Sequence, residues 1–120
     1  MIHSMKKFFL ITLAGMLLVS CGPTGPTTLY SWYNYEDVAY KYSKTPNETL
    51  QAQLLATYEA MINKQGGKRK TVPPGLCAEY GYMLCKMKRV DEGIGFLKKE
   101  IELYPESEVY VSNIIKMFEQ

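Results

Sequence analysis

Three cysteines are the residues of this chain best equipped for covalent chemistry, and their surroundings give them different work. Cys21 closes a run of about twelve mostly apolar residues, Phe8 to Val19, that follows Lys6 and Lys7 and ends with Val19 and Ser20. A cationic start, a short apolar stretch and small residues before a scissile bond are the parts of an export leader. Cleavage before Cys21 leaves a thiol at the new N-terminus, a nucleophile for thioether attachment of a lipid. At 1.5 Å per residue the apolar run spans about 18 Å, well short of a hydrocarbon core of about 30 Å, so it does not read as a membrane-spanning anchor. Cys77 and Cys85 stand eight residues apart. On one helix that is about 12 Å, beyond the reach of a disulfide. They are expected to be buried as small hydrophobes or free to pair with another chain.

Leu18-Val19-Ser20-Cys21 resembles the lipobox of bacterial lipoproteins at every position. The resemblance implies acyl chains on Cys21. At about 0.8 kcal/mol per buried methylene, two or three such chains hold a protein on a membrane without spanning it. Gly22 stands where an aspartate would imply retention in the inner membrane, so the resemblance points to the outer membrane, facing the periplasm. The chain then divides into a removed leader (1–20), the acylated cysteine with a Gly/Pro-rich tether (21–29) and a helical domain (30–120). The 100 residues left after removal of 1–20 suffice for one small core.

Charge and composition exclude several kinds of function. Of the 14 basic residues, Lys6 and Lys7 belong to the leader, and the remainder balances the 12 acidic ones. No nucleic-acid footprint is left. The single histidine, His3, also lies in the leader, so Ser-His-Asp, Cys-His and histidine-metal sites are excluded from the mature chain. Without a histidine, nothing prepares Cys77 or Cys85 as a nucleophile. Asp91 and Glu92 are adjacent in sequence and diverge on a helix, so they make no acid/base pair. No enzyme activity, cofactor, metal or small-molecule substrate is expected.

The elements that must position any site are helices. Aromatic and apolar residues at Tyr35, Val38, Ala39 and Tyr42 predict a first helix within Tyr30 to Ser43. Thr45-Pro46-Asn47-Glu48 predicts a capping box with proline at the first helical position, opening a second helix with the stripe Leu50, Leu54, Tyr58 and Met61, widened by Leu55 and Ile62. It should end near Lys64, with 65–70 as loop. Pro73-Pro74-Gly75 opens a third helix carrying Leu76, Cys77, Tyr80, Leu84 and Met87. A break near Lys88-Arg89 leads to a fourth with Ile94, Leu97, Ile101 and Leu103 on its buried side, stopped by Tyr104-Pro105. Ser107 is expected to cap a fifth whose stripe is Val111, Ile114, Ile115 and Phe118. Period-two strands are missing, so the fold class is all-α, four to five helices joined by short turns.

Residues 74–107 make one 34-residue unit that resembles a tetratricopeptide repeat. Tyr80-Gly81, Leu84, Gly93, Leu97 and Pro105 fill motif positions, while Cys77 stands where tryptophan is preferred and Glu100 where a small apolar residue is usual. Gly81 and Gly93 are expected to let the paired helices approach closely, which accounts for glycines inside helices despite about 1 kcal/mol each against alanine. Residues 107–119 resemble the first helix of an uncompleted repeat, as a capping element would. The lipobox cysteine, Trp32-Tyr33-Asn34-Tyr35 and Val72-Pro73-Pro74-Gly75 together resemble a family of small bacterial lipoproteins. Its members usually carry glycine where this chain has Tyr33. Their genes tend to lie beside lipoproteins resembling curli-secretion channels, which implies an envelope protein as partner.

The resulting expectation is a membrane-tethered, non-catalytic protein-interaction module, because stacked helix pairs form a concave binding face. Glu79, Tyr80, Tyr82 and Lys86 are the candidate groove residues, with Trp32 as a further contact. The alternative is glycan or peptidoglycan binding by stacking of Trp32, Tyr30, Tyr33 and Tyr35 on sugar rings. The basic cluster Lys64, Lys68, Arg69 and Lys70 reads as a solvated loop, or as a contact for anionic headgroups.

Overall fold

A computed structural model describes residue 22 and residues 25–120. The leader and Cys21, with the lipid attachment expected there, lie outside the described residues. Among the described residues five α-helices follow in order, α1 (Tyr35–Lys44), α2 (Glu48–Asn63), α3 (Leu76–Lys86), α4 (Val90–Leu103) and α5 (Glu108–Phe118), with one 3-10 turn at Pro105–Ser107. The described residues contain no strand, and the all-α array is as the periodicity predicts.

The helix ends depart from the sequence expectation for identifiable reasons. α1 starts five residues later than Tyr30, because Tyr33 has a φ of 50° and breaks the helical path. The turn that glycine would make easily is therefore kept, with a tyrosine in the left-handed region. Its hydroxyl donates to the carbonyl of Lys64 at the end of α2, which holds the strained residue in place. Thr45 does not cap α2. Its N–H still bonds Lys41 O at 3.0 Å, which makes it the end of α1, and Pro46 after it disfavours helical dihedrals. Asn47 is the N-cap instead, its side chain accepting from Leu50 N at 2.8 Å.

α3 stops in a Schellman motif. Arg89 N donates to Leu84 O at 3.0 Å, Lys88 N donates to Cys85 O at 3.1 Å, and Lys88 takes a φ of 69° where glycine is usual. Ser107 stands at the N-cap position of α5, as expected, but its side chain caps no amide of that helix: the 3-10 turn runs directly into it, and Ser107 Oγ donates to Tyr104 O at 2.7 Å.

Two cores share α3 as a common wall. On one side Leu76, Cys77, Tyr80 and Leu84 meet Val38 of α1, Leu54, Tyr58 and Met61 of α2, and Val72. On the other, Ala78 and Cys85 meet Leu97 of α4 with Val111 and Ile115 of α5. A helix buried on two faces leaves few side chains for solvent, which limits what α3 can offer a partner to one edge. Leu103, expected on the buried side of α4, is exposed at the helix end.

The α3–α4 hairpin is drawn tight by its glycines. A Cβ on Gly81 would stand 2.6 Å from the carbonyl oxygen of Gly93, and one on Gly93 would stand 2.5 Å from that of Gly81. The predicted close approach is thus mutual, each glycine facing the other's backbone. The residues before α1 are fastened as well, which the tether boundary at 29 did not anticipate. Thr28 O and Leu29 O accept from Lys68 N and Arg69 N at 3.0 and 3.1 Å, and Ser31 exchanges hydrogen bonds with Gln65 and Gly66.

Candidate functional site

α3 and α5 leave between them a groove of about 730 Å³, within the range of built binding sites, roughly 300–1,000 Å³. Ala78, Glu79 and Tyr82 line it from α3, and Tyr110, Asn113, Ile114 and Met117 from α5. Glu100, Tyr104 and Glu106 add to the lining from α4, its end and the turn that follows. Of the apolar side chains here, Tyr110 and Met117 are 72% and 62% exposed. The same helix buries Val111, at the base of the groove, and Ile115.

Two of the five candidate partner contacts read from the sequence meet in this groove, Glu79 and Tyr82. The rest are placed elsewhere. Tyr80 is 2% exposed, its ring packed in the first core and its hydroxyl donating to the exposed Glu59 at 2.9 Å. Lys86 is exposed at the end of α3 and does not line the groove. Trp32 stacks between Tyr30 and Tyr35, with ring centroids 6.1 and 5.8 Å away, and keeps 45% of its surface exposed. The file of rings continues through Tyr58 and Tyr80 to Phe96, at spacings of 5.9, 5.6 and 4.6 Å. Trp32 therefore sits at the outer end of a stack that ties the N-terminal segment to α2, α3 and α4, and each such pair adds about 0.5–1.5 kcal/mol beyond area burial.

Glu79 joins that stack to the groove. Its Oε2 accepts from Tyr35 at 2.7 Å and from Tyr58 at 3.2 Å. Burial, with the Glu79 carboxylate nearby, pushes both hydroxyls well above the ordinary tyrosine range. Tyr80 is pushed up to about 12, by burial first and then by its bond to Glu59. These neutral phenols are donors at physiological pH, and the fold depends on their staying so.

For an acid raised in the fold, the stabilisation is complete below its unfolded pKa of about 10 and is lost as pH rises through the folded value. Urea midpoints should thus hold steady from pH 7 to 9 and fall steeply above about 10. Absorbance at 295 nm should show the phenols of Tyr35, Tyr58 and Tyr80 ionising only as the fold is lost. Simultaneous ionisation of all tyrosines in an intact fold would contradict the assignment.

Glu100 explains the departure from the repeat pattern. It is 1% exposed, and its carboxylate accepts from Gly75 N at 2.6 Å and Ala78 N at 3.3 Å, at the N-terminus of α3. The buried charge thus lies against unpaired amide donors and the positive end of a helix dipole. Gly75, with a φ of 89°, shapes the backbone turn that presents the first of those donors. Cys77 and Cys85 are both buried and free. Burial, then the Glu100 charge, pushes the Cys77 thiol up to about 11, and burial raises Cys85 too, so thiolate is scarce at neutral pH. Among the described residues no three His, Cys, Asp or Glu side chains gather as metal ligands would, and no helix is long and apolar enough to cross a membrane.

The protein is thus a small all-α array whose open feature is an apolar groove with carboxylates along its walls. Residues 29–114, well over half of the chain, match the domain of unknown function DUF4810, and the chain belongs to that family. No curated protein and no solved structure matches it.

Proposed function

We propose that this chain is an envelope lipoprotein, acylated at Cys21 and held on the outer membrane facing the periplasm. It works there as a non-catalytic adaptor that captures a protein partner in the α3–α5 groove. The observation that carries this reading is the groove itself, where Tyr82, Tyr110 and Met117 stay exposed beside a well-filled core. Apolar side chains gathered in one concavity mark a surface meant to be covered. The tetratricopeptide-like spacing of 74–107 supports it, since the first helices of successive repeats in such arrays line the concave face. The lipobox supports the location, and the thiols with raised pKa values fit a binding role better than a catalytic one.

Two measurements test the proposal. Mass spectrometry of the chain isolated from membranes should give a product beginning at Cys21 and carrying diacylglycerol, whereas an intact, unmodified leader would overturn the location. A photo-crosslinking residue at Tyr110 should yield a discrete adduct in the envelope, and the same residue at Tyr40, exposed on α1, should not. Equal yields at the two positions would overturn the groove as the working surface.

A further inference from the structure

The groove has a sign. Glu79 stands on the α3 wall, Glu106 in the turn that begins the opposite wall and Glu100 in the floor, and no lysine or arginine lines it among the described residues. That polarity is local: residues 21–120 hold as many basic as acidic side chains, so the chain as a whole attracts neither sign. The nearby guanidinium of Arg69 is stacked at 5.8 Å over the Tyr30 ring and lies outside the groove lining.

The carboxylates are not equivalent. Glu100 is consumed by the amides of Gly75 and Ala78. Glu79 is held by two phenols on Oε2 alone, which fixes the side chain and leaves Oε1 without a donor among the described residues. Glu106 is exposed and bonded to no described side chain. An oriented, half-used carboxylate beside apolar side chains suits a cation that brings apolar surface with it, and Tyr82 and Tyr110 line the same groove.

We infer that the occupant of the α3–α5 groove is a cationic, apolar peptide segment of the partner, its lysine or arginine side chain held between Glu79 and Glu106 while its apolar residues cover Tyr110 and Met117. This rests on the adaptor reading and adds the chemistry of the partner to it. Charge complementarity at the site sets partner choice and encounter rate, so the effect is selective and sensitive to salt.

The test uses the full chain in detergent and short fluorescein-labelled leucine-alanine peptides carrying lysine, glutamate or serine at the same positions, followed by anisotropy. The lysine peptide should bind about tenfold or more tighter than the glutamate peptide in low salt, and the gap should narrow near 0.15 M, where the screening length is about 8 Å. Glu79→Gln with Glu106→Gln should bring the lysine peptide to the level of the serine peptide, with helicity by circular dichroism unchanged. Tyr110→Ser with Met117→Ser should weaken all three.

Equal binding of the three peptides, or preference for glutamate, overturns the cationic assignment. If the serine double variant still weakens them, the groove itself survives as the surface. Failure of any peptide to bind the unaltered chain overturns the inference as well. A concentration-dependent dimer in sedimentation, broken by the serine variant, would assign the groove to a second copy instead.

Discussion

Gly93→Ala destabilises this protein by about 3 kcal/mol or more, while Gly95→Ala, two residues along the same helix, stabilises it slightly. Propensity alone predicts the same gain of about 1 kcal/mol for both, since glycine is costly inside any helix. Packing separates them. A methyl on Gly95 meets nothing within 4 Å. A methyl on Gly93 would press on Cys85 Sγ and stand 2.5 Å from Gly81 O and 2.9 Å from Cys85 N. A sulfur can rotate away, but a helical carbonyl and amide cannot move without disturbing the hydrogen bonds of α3. The two helices must separate, and Leu97 of α4, buried in the second core, loses contact with Ala78 and Cys85 of α3. A domain of this size has only about 5–15 kcal/mol of stability in total, so the shift is easily read in a urea melt followed at 222 nm. Equal shifts for the two variants would refute the mutual glycine contact.

How far the sequence disclosed this arrangement depends on the range over which each feature is encoded. The helical stripes are local and were legible: Leu54, Tyr58 and Met61 recur at helical spacing and all three are buried. The glycine contact was legible too, because the repeat-like spacing sets Gly81 and Gly93 where the paired helices approach each other. Helix ends were harder. Lys88 occupies a left-handed position that glycine normally signals, so nothing in its residue type marked the Schellman motif at the end of α3. Tyr33 hid the start of α1 in the same way.

The groove was half legible. Adjacent residues on a helix point about 100° apart, so Glu79 and Tyr80 could not both face one partner, and only the fold shows which does. The α5 wall lies some thirty residues further along. Its signal was present, though unread: Tyr110 and Met117 are seven apart, on one face and off the buried stripe of Val111 and Ile115. Glu100 was noticed as a departure from the repeat, but its partners sit more than twenty residues upstream and no local pattern names them.

That residue supplies the second large effect. Glu100→Ala removes a buried carboxylate and leaves the amides of Gly75 and Ala78 without acceptors, at about 1–3 kcal/mol for each buried group left unpaired. The lost side-chain volume adds to this, and the favourable placement of a negative charge at the start of α3 is lost as well. A total near 3–5 kcal/mol is expected, comparable with breaking a buried ion pair. Glu100→Gln separates the contributions. It keeps the size and one carbonyl acceptor but turns an NH2 group toward an N–H, so it should recover roughly half of the loss. Native-state hydrogen exchange localises the cause: the Ala78 amide should lose protection in both variants, whereas amides in the middle of α2 should change only with global stability. If Ala78 stays as protected as before, the carboxylate is not its partner, and the buried Glu100 would need another explanation. If the prediction holds, the same side chain that forms the floor of the groove also secures the helix carrying Glu79 and Tyr82. Binding surface and fold would then share one buried charge, and weakening it should loosen both together.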